Sequence, residues 1–144
     1  MAVELGQPEV NLNVTRQVDG PLIRKLTVSN FRNYSTASLE PSKQMVVLLG
    51  NNGAGKTNLL EAISMLSPGR GLRRAQLTQL NRAKTDAINK DNTIEAQGQW
   101  AVSVRVESHG CQTTIGTGCA PVPADGKSAK RLVKINGDIV KSQT

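Results

Sequence analysis

The chain has 144 residues, 38% hydrophobic and 20% charged, which suits one soluble domain with a real core and leaves too little chain for two. Aromatic residues make up only 2%, so aliphatic side chains must fill the core, and base stacking on aromatic platforms is a poor route to nucleic acid. The net charge is +7, no apolar run approaches the roughly eighteen residues of a membrane helix, and the first twenty residues lack a secretory signal's basic start and apolar stretch, so a cytoplasmic protein without a membrane partner is expected.

Residues 1–20 are polar with scattered valines and no firm period, and they end at Gly20-Pro21; they are expected to be a polar, disordered extension. From Leu22 to Val28 a β-rich run with Leu26 and Val28 on one face reads as a strand closed by Ser29 and Asn30. Phe31-Arg32-Asn33-Tyr34 follows, and Ala37–Glu40 begins a return strand before Pro41. Met45–Leu49 is a continuous apolar, partly β-branched run, which predicts a central strand buried on both faces of a parallel sheet. The two earlier strands are expected to feed this one, with the loop that follows at its carboxyl end, where open α/β sheets bind ligands.

That loop fits G-x-x-x-x-G-K-S/T through Gly50, Asn51, Asn52, Gly53, Ala54, Gly55, Lys56 and Thr57. The glycines let backbone approach a phosphate, and successive N–H groups form an anion cradle at the start of the next helix. Lys56 is placed to bridge β- and γ-phosphates as a compact cation, and the Thr57 hydroxyl to ligate Mg²⁺, which points to ATP and Mg²⁺ as cofactors. A helix terminus contributes only about 0.3 to 1 kcal/mol toward an anion at an exposed site, so amides, lysine and metal must act together. The four fixed positions occur by chance in a chain of this length roughly once in a hundred or two hundred sequences. The competing structural reading is an ordinary glycine turn between a core strand and a core helix. Against it, Leu59, Ile63 and Leu66 recur at helical spacing after the loop, with Leu60 and Ala62 broadening the apolar face.

Ser67-Pro68-Gly69-Arg70-Gly71 stops the helix. Leu72–Leu80 has weak helical spacing, and Lys84–Gln99 is polar enough for a loop. Trp100, Val102, Val104 and Val106 alternate, predicting a half-buried antiparallel strand. Ser108-His109-Gly110 turns into a second strand near Cys111–Thr117, and Gly118–Lys127 is a loop. Arg131–Ile135, Asn136-Gly137 and Asp138–Val140 read as a hairpin, because Asn-Gly favours the type I′ turn. Cys111 and Cys119 have no partner at zinc spacing and are expected to be reduced thiols; His109 is expected to be solvated.

The charge is uneven. Residues 1–66 hold six Lys/Arg against five Asp/Glu, and residues 67–144 hold twelve against six. The excess lies in Arg70, Arg73, Arg74, Arg82 and Lys84, and again in Lys127, Lys130, Arg131 and Lys134. Such clusters suit either a nucleic-acid backbone or a merely solvated basic face.

LTVSNFRNY, then VVLLGNNGAGKTNLLEAISMLSPGRGLRRA, then WAV and RLVKING, together resemble the amino-terminal part of the RecF family of bacterial DNA replication and repair proteins, ATPases of the SMC and ABC group. The likeness runs from about Leu22 to the last residue. Asn51 departs from the proline usual there, but its side chain meets no fixed requirement in the cradle. The resemblance implies an α/β fold: the N-terminal lobe of a P-loop NTPase head of ABC/SMC type, incomplete, with a core over 22–83 and an added antiparallel β region over 99–144. It implies binding of ATP, Mg²⁺ and DNA (single strands and duplex junctions), an ATP-dependent homodimer, recombination mediator proteins as partners, and work in replication, recombinational repair and the SOS response. It also places Arg32 and Asn33 near the nucleotide base.

Such a head needs four apolar residues followed by Asp to hold Mg²⁺ and orient water, and a Ser-Gly-Gly signature that meets the γ-phosphate across the dimer. Neither stands after Leu66, so the chain is expected to be a fragment that binds ATP without turning it over. Other readings are a small-molecule kinase, a transporter ATPase subunit, or a truncated chain whose open edges invite aggregation.

Overall fold

The computed structural model describes residues 2–5, 20–82, 99–120 and 129–140. Among these residues eight strands and one α-helix form a six-stranded antiparallel sheet, a two-stranded parallel ribbon and a helix that follows the glycine-rich loop. The strands are β1 (Ala2–Leu5), β2 (Leu22–Phe31), β3 (Tyr34–Leu39), β4 (Val47–Gly50), β5 (Ala101–Ser108), β6 (Cys111–Cys119), β7 (Arg131–Ile135) and β8 (Asp138–Ile139); the helix, α1, spans Lys56–Ser64. The large sheet has the order β3-β2-β5-β6-β7-β8.

Alternation decides its register. Leu26 sits opposite Val104 and Val28 opposite Val102, so one face of β2 and β5 is apolar throughout. That face carries the core: Leu26, Val28, Phe31, Trp100, Val102 and Val104 are buried with Leu59, Ala62 and Met65 of the α1 region and Leu80 of a short 3₁₀ turn, Leu77–Leu80. The sole tryptophan meets Phe31 edge-on at 5.7 Å, and its Nε1 donates to Leu77 O at 2.8 Å, which ties the 3₁₀ turn to the sheet. The last hairpin has the expected turn, with Asn136 at φ 51° and Gly137 at φ 94°.

Three expectations change. First, β2 and β3 do not feed the strand before the phosphate loop. Joined by a two-residue turn, they pair with each other, and the free side of β2 is taken by β5. Second, β4 is not buried on both faces: Val47 is 44% exposed and Met45 69%. Among the described residues its only partner is β1, and no second layer lies over Val47. A continuous apolar run cannot by itself tell a covered strand from an edge one. Third, the N-terminal extension contains an element: β1 lies parallel to β4, with Ala2 opposite Val47 and Leu5 opposite Gly50. An open strand edge presents unpaired N–H and C=O groups, and the four residues of β1 are enough to pair with one edge of β4. Residues 6–19 lie outside the described residues, as do most of the loops expected at 84–99 and 118–127.

Two ion pairs tie strands of the large sheet together. Arg24 Nε donates to Glu107 Oε2 at 2.8 Å across β2 and β5, and Lys25 Nζ to Glu40 Oε1 at 2.7 Å beyond β3. Hydrogen bonding to these cations, reinforced by their charge, holds both carboxyls below the ordinary range. Carboxyls depressed in the folded state contribute stability above their unfolded pKa, about 4.3, and lose it as pH falls through the folded value. The melting temperature is therefore expected to be level from pH 7 to 5 and to drop below about pH 4. Circular dichroism melts check this, with Glu107→Gln giving a shallower acid limb; equal slopes would remove Glu107 from the account.

Candidate phosphate-binding site

The loop between β4 and α1 owes its shape to three glycines in conformations that L side chains resist: Gly50 at φ 152°, Gly53 at 88° and Gly55 at 98°. Gly55 is also sterically required. A Cβ there would stand 2.6 Å from both Asn33 Nδ2 and the Tyr34 hydroxyl. Ala54 N closes the loop on Asn51 O at 3.1 Å. Gly55 is the N-cap of α1 and offers no side-chain cap, and no acidic residue occupies the first turn. The first amides of the helix thus keep their hydrogen-bonding capacity for an external anion.

Asn52, Gly53, Gly55, Lys56 and Thr57 line a cleft of ≈ 270 Å³, together with Asn58 and Arg73. Five of the eight residues expected at the site thus line it; of the other three, Gly50 and Asn51 accept from Lys56 and Ala54 closes the loop, without lining the cleft. Lys56 Nζ donates to Gly50 O and, at 2.8 Å, to Asn51 O. An ammonium has three donors, so one remains for a ligand. Thr57 is exposed at the start of the helix. Backbone donors, a cation and a hydroxyl around an open cleft suit an anionic ligand, and no lining residue is a carboxylate.

Arg32 and Asn33 do not line the cleft; they support it from below. Asn33 Oδ1 accepts from Asn58 Nδ2 at 2.9 Å, and the neighbouring Tyr34 hydroxyl donates to Gly55 O at 3.1 Å. Burial raises the Tyr34 pKa. Arg32 grips Glu61 through both carboxylate oxygens, at 2.9 and 2.8 Å, and also donates to Gln79 O at 3.1 Å. The bond to Glu61 raises the Arg32 pKa.

Glu61 was hidden from sequence reasoning. It occupies a polar-looking position of α1, yet it is 1% exposed, sits between Arg32 and Arg73, and holds Arg73 Nη1 at 3.3 Å. Arg73 also donates to Asn58 Oδ1 at 3.1 Å, which puts a second cation at the cleft. Its place in a basic run right after the phosphate-loop helix was the available signal. The basic clusters separate accordingly: Arg70, Arg74, Arg82, Lys130 and Lys134 are exposed, Arg73 and Arg131 are engaged in internal bonds, and Lys84 and Lys127 lie outside the described residues.

Among the described residues no helix is long and apolar enough to cross a membrane, and no cluster of three His, Cys, Asp or Glu side chains stands ready for a metal. Residues 22–139 match the family model described as the RecF/RecN/SMC N terminal domain. The chain is 40% identical over 120 residues to the DNA replication and repair protein RecF of Agrobacterium fabrum, covering 83% of this chain and 28% of that protein. It is 44% identical over 117 residues to the RecF of Caulobacter vibrioides, covering 80% and 27%. Among solved structures it is similar to the recombination mediator protein RecF of the RecFOR pathway. The RecF-ATPrS structure gives a TM-score of 0.64 at 27% identity over 86% of this chain and 29% of that one, and the RecF-ATP structure a TM-score of 0.63 at the same identity. The chain thus spans under a third of the length of the relatives it matches.

Proposed function

The chain belongs to the RecF/RecN/SMC N-terminal domain family, and on that premise we propose that it binds ATP with Mg²⁺ at the Gly50–Thr57 loop and DNA on its basic surface, as part of RecF-type replication and recombinational repair. The observation that carries the nucleotide reading is the cleft itself: uncapped helix amides, Lys56, Thr57 and Arg73 converge on one open space. The loop amides and Lys56 would take the phosphates, and the Thr57 hydroxyl would hold Mg²⁺. When bound, Mg²⁺ neutralises part of the triphosphate charge. Among the lining residues no carboxylate is available to orient a water, so the site reads as one that binds and does not hydrolyse by itself. Cytoplasmic location, ATP-dependent homodimerisation, recombination mediator proteins as partners, a role in the SOS response and a preference for single-stranded DNA and duplex junctions belong to the same proposal, and all rest on the family.

Titration with a fluorescent ATP analogue, with and without Mg²⁺, tests the nucleotide reading. Saturable binding strengthened by Mg²⁺ is expected; none with either would overturn it. For DNA, Arg70, Arg74, Arg82, Lys130 and Lys134 are the exposed cations to test. Binding is expected to be sequence-independent and to fall with salt, with a logarithmic slope of about 0.7 to 0.9 per phosphate neutralised. An affinity unchanged between low and high salt would exclude this mode.

A further inference from the structure

The last turn of helix α1 contains no basic residue, and after it the chain passes through Met65 and Leu66 into Ser67-Pro68-Gly69. The carbonyls of Glu61, Ala62, Ile63 and Ser64 are taken by the amides of Met65, Leu66 and Ser67, which leaves the carbonyls of the turn that follows, near the negative pole of the helix, to find partners elsewhere. Three of them are met by a residue more than sixty positions later. Arg131, the first residue of β7, donates from Nη2 to Met65 O and, at 3.1 Å, to Ser67 O, and from Nη1 to Gly69 O at 2.7 Å. Its Nε donates to Thr117 Oγ1 at 2.8 Å, and that hydroxyl in turn donates to Leu132 O at 3.0 Å. All three guanidinium nitrogens are thus engaged, on one side by the sheet and on the other by the turn after α1.

The same turn leads to the cleft. Beyond it, Leu72 N donates to Ser64 Oγ at 2.8 Å, folding the chain back along the helix, and the next residue, Arg73, reaches Asn58 at the cleft wall and the buried Glu61. The fold-back is tight at Gly71, where a Cβ would stand 2.5 Å from Met65 Sδ.

We infer that Arg131 is a positioning residue for the phosphate cleft, fixing from β7 the turn that carries Arg73 to it. A planar guanidinium satisfies several carbonyls at once, whereas lysine offers a single point of attachment. Burial lowers the Arg131 pKa, in keeping with a cation drawn out of water to serve these carbonyls. This inference rests on the nucleotide reading for its functional consequence, but its structural half does not.

The test uses the whole chain in four forms: wild type, Arg131→Met, Arg73→Met and the double variant, each measured for fluorescent ATP analogue affinity with Mg²⁺ and for tryptic cleavage after Arg70, Arg73 and Arg74 without nucleotide. Arg131→Met is expected to speed cleavage at these sites several-fold and to weaken nucleotide binding about five-fold, with Arg131→Lys recovering part of both. In the Arg73→Met background the Arg131 substitution is expected to cost no further affinity. A merely structural arginine would instead lower affinity by the same factor in both backgrounds, and that result, or cleavage at the wild-type rate, overturns the inference. If Arg131→Met does not fold, Thr117→Val, which removes the Nε acceptor together with the hydroxyl's bond to Leu132 O but keeps the guanidinium, is expected to act in the same direction, again only with Arg73 present; no change, or the same change without Arg73, would overturn it. Faster cleavage in a protein whose wild type binds no nucleotide would sink the nucleotide reading while leaving the clamp standing.

Discussion

Lys56→Ala is expected to weaken ATP binding by this chain at least about tenfold while shifting its melting temperature by only a few degrees. The ammonium contributes a charge-assisted hydrogen bond to phosphate, of a kind worth about 1.5 to 3 kcal/mol, or about ten- to a hundredfold in affinity. Its cost to the fold is smaller, because the side chain is half-buried and its two bonds run to loop carbonyls that water also reaches. Thr57→Ala separates metal from phosphate: its defect is expected with Mg²⁺ present and to vanish in chelator. Equilibrium titration of the three proteins, each paired with a thermal melt, reads both effects. Lys56→Ala binding as tightly as wild type would mean that the nucleotide is held somewhere other than this loop.

Arg32→Met is expected to destabilise the fold by about 3 kcal/mol, which for a chain of this size lowers the melting temperature by roughly 10 °C. The cause lies in the partner. Glu61 is fully enclosed, and Arg32 supplies two of its hydrogen bonds; without them a carboxylate is left in the interior with only Arg73, at 3.3 Å and largely in solvent, for company. Breaking one side of a buried ion pair leaves an uncompensated charge, whereas replacing both sides with apolar groups is often tolerated. Arg32→Met with Glu61→Leu is therefore expected to be more stable than Arg32→Met alone. Urea unfolding of the single and double variants decides it: a single variant within about 1 kcal/mol of wild type would show that Glu61 is accommodated without Arg32. Because Glu61 also holds Arg73, the stability loss is expected to come with weaker nucleotide binding.

Much of this molecule is legible in short stretches of chain. The phosphate loop is a local device: glycine spacing, lysine and hydroxyl stand in one continuous segment, and the loop takes the positive-φ conformations its glycines permit. The alternation through Trp100–Val106 marks β5 and its buried face, and Asn136-Gly137 marks the last hairpin. In each case the information sits within a few residues of the structure it specifies.

Allegiances between distant segments were decided only by the tertiary fold. β2 joins β5, not β4, because two alternating apolar faces match in register across more than seventy residues. Met45–Leu49 looks like a covered core strand, yet among the described residues its only strand partner is β1, since how a strand is covered depends on elements its own residues do not describe. Glu61 passes for a surface glutamate until Arg32, twenty-nine residues away, arrives to neutralise it. Arg73 and Arg131 belong to basic runs that suggest nucleic acid, but one lines the cleft and the other holds the turn that follows the helix. Composition and spacing determined which chemistry this chain carries. Long-range packing decided which charges stay free to use it, because a charge is released or engaged by its neighbours in space and not by those in sequence.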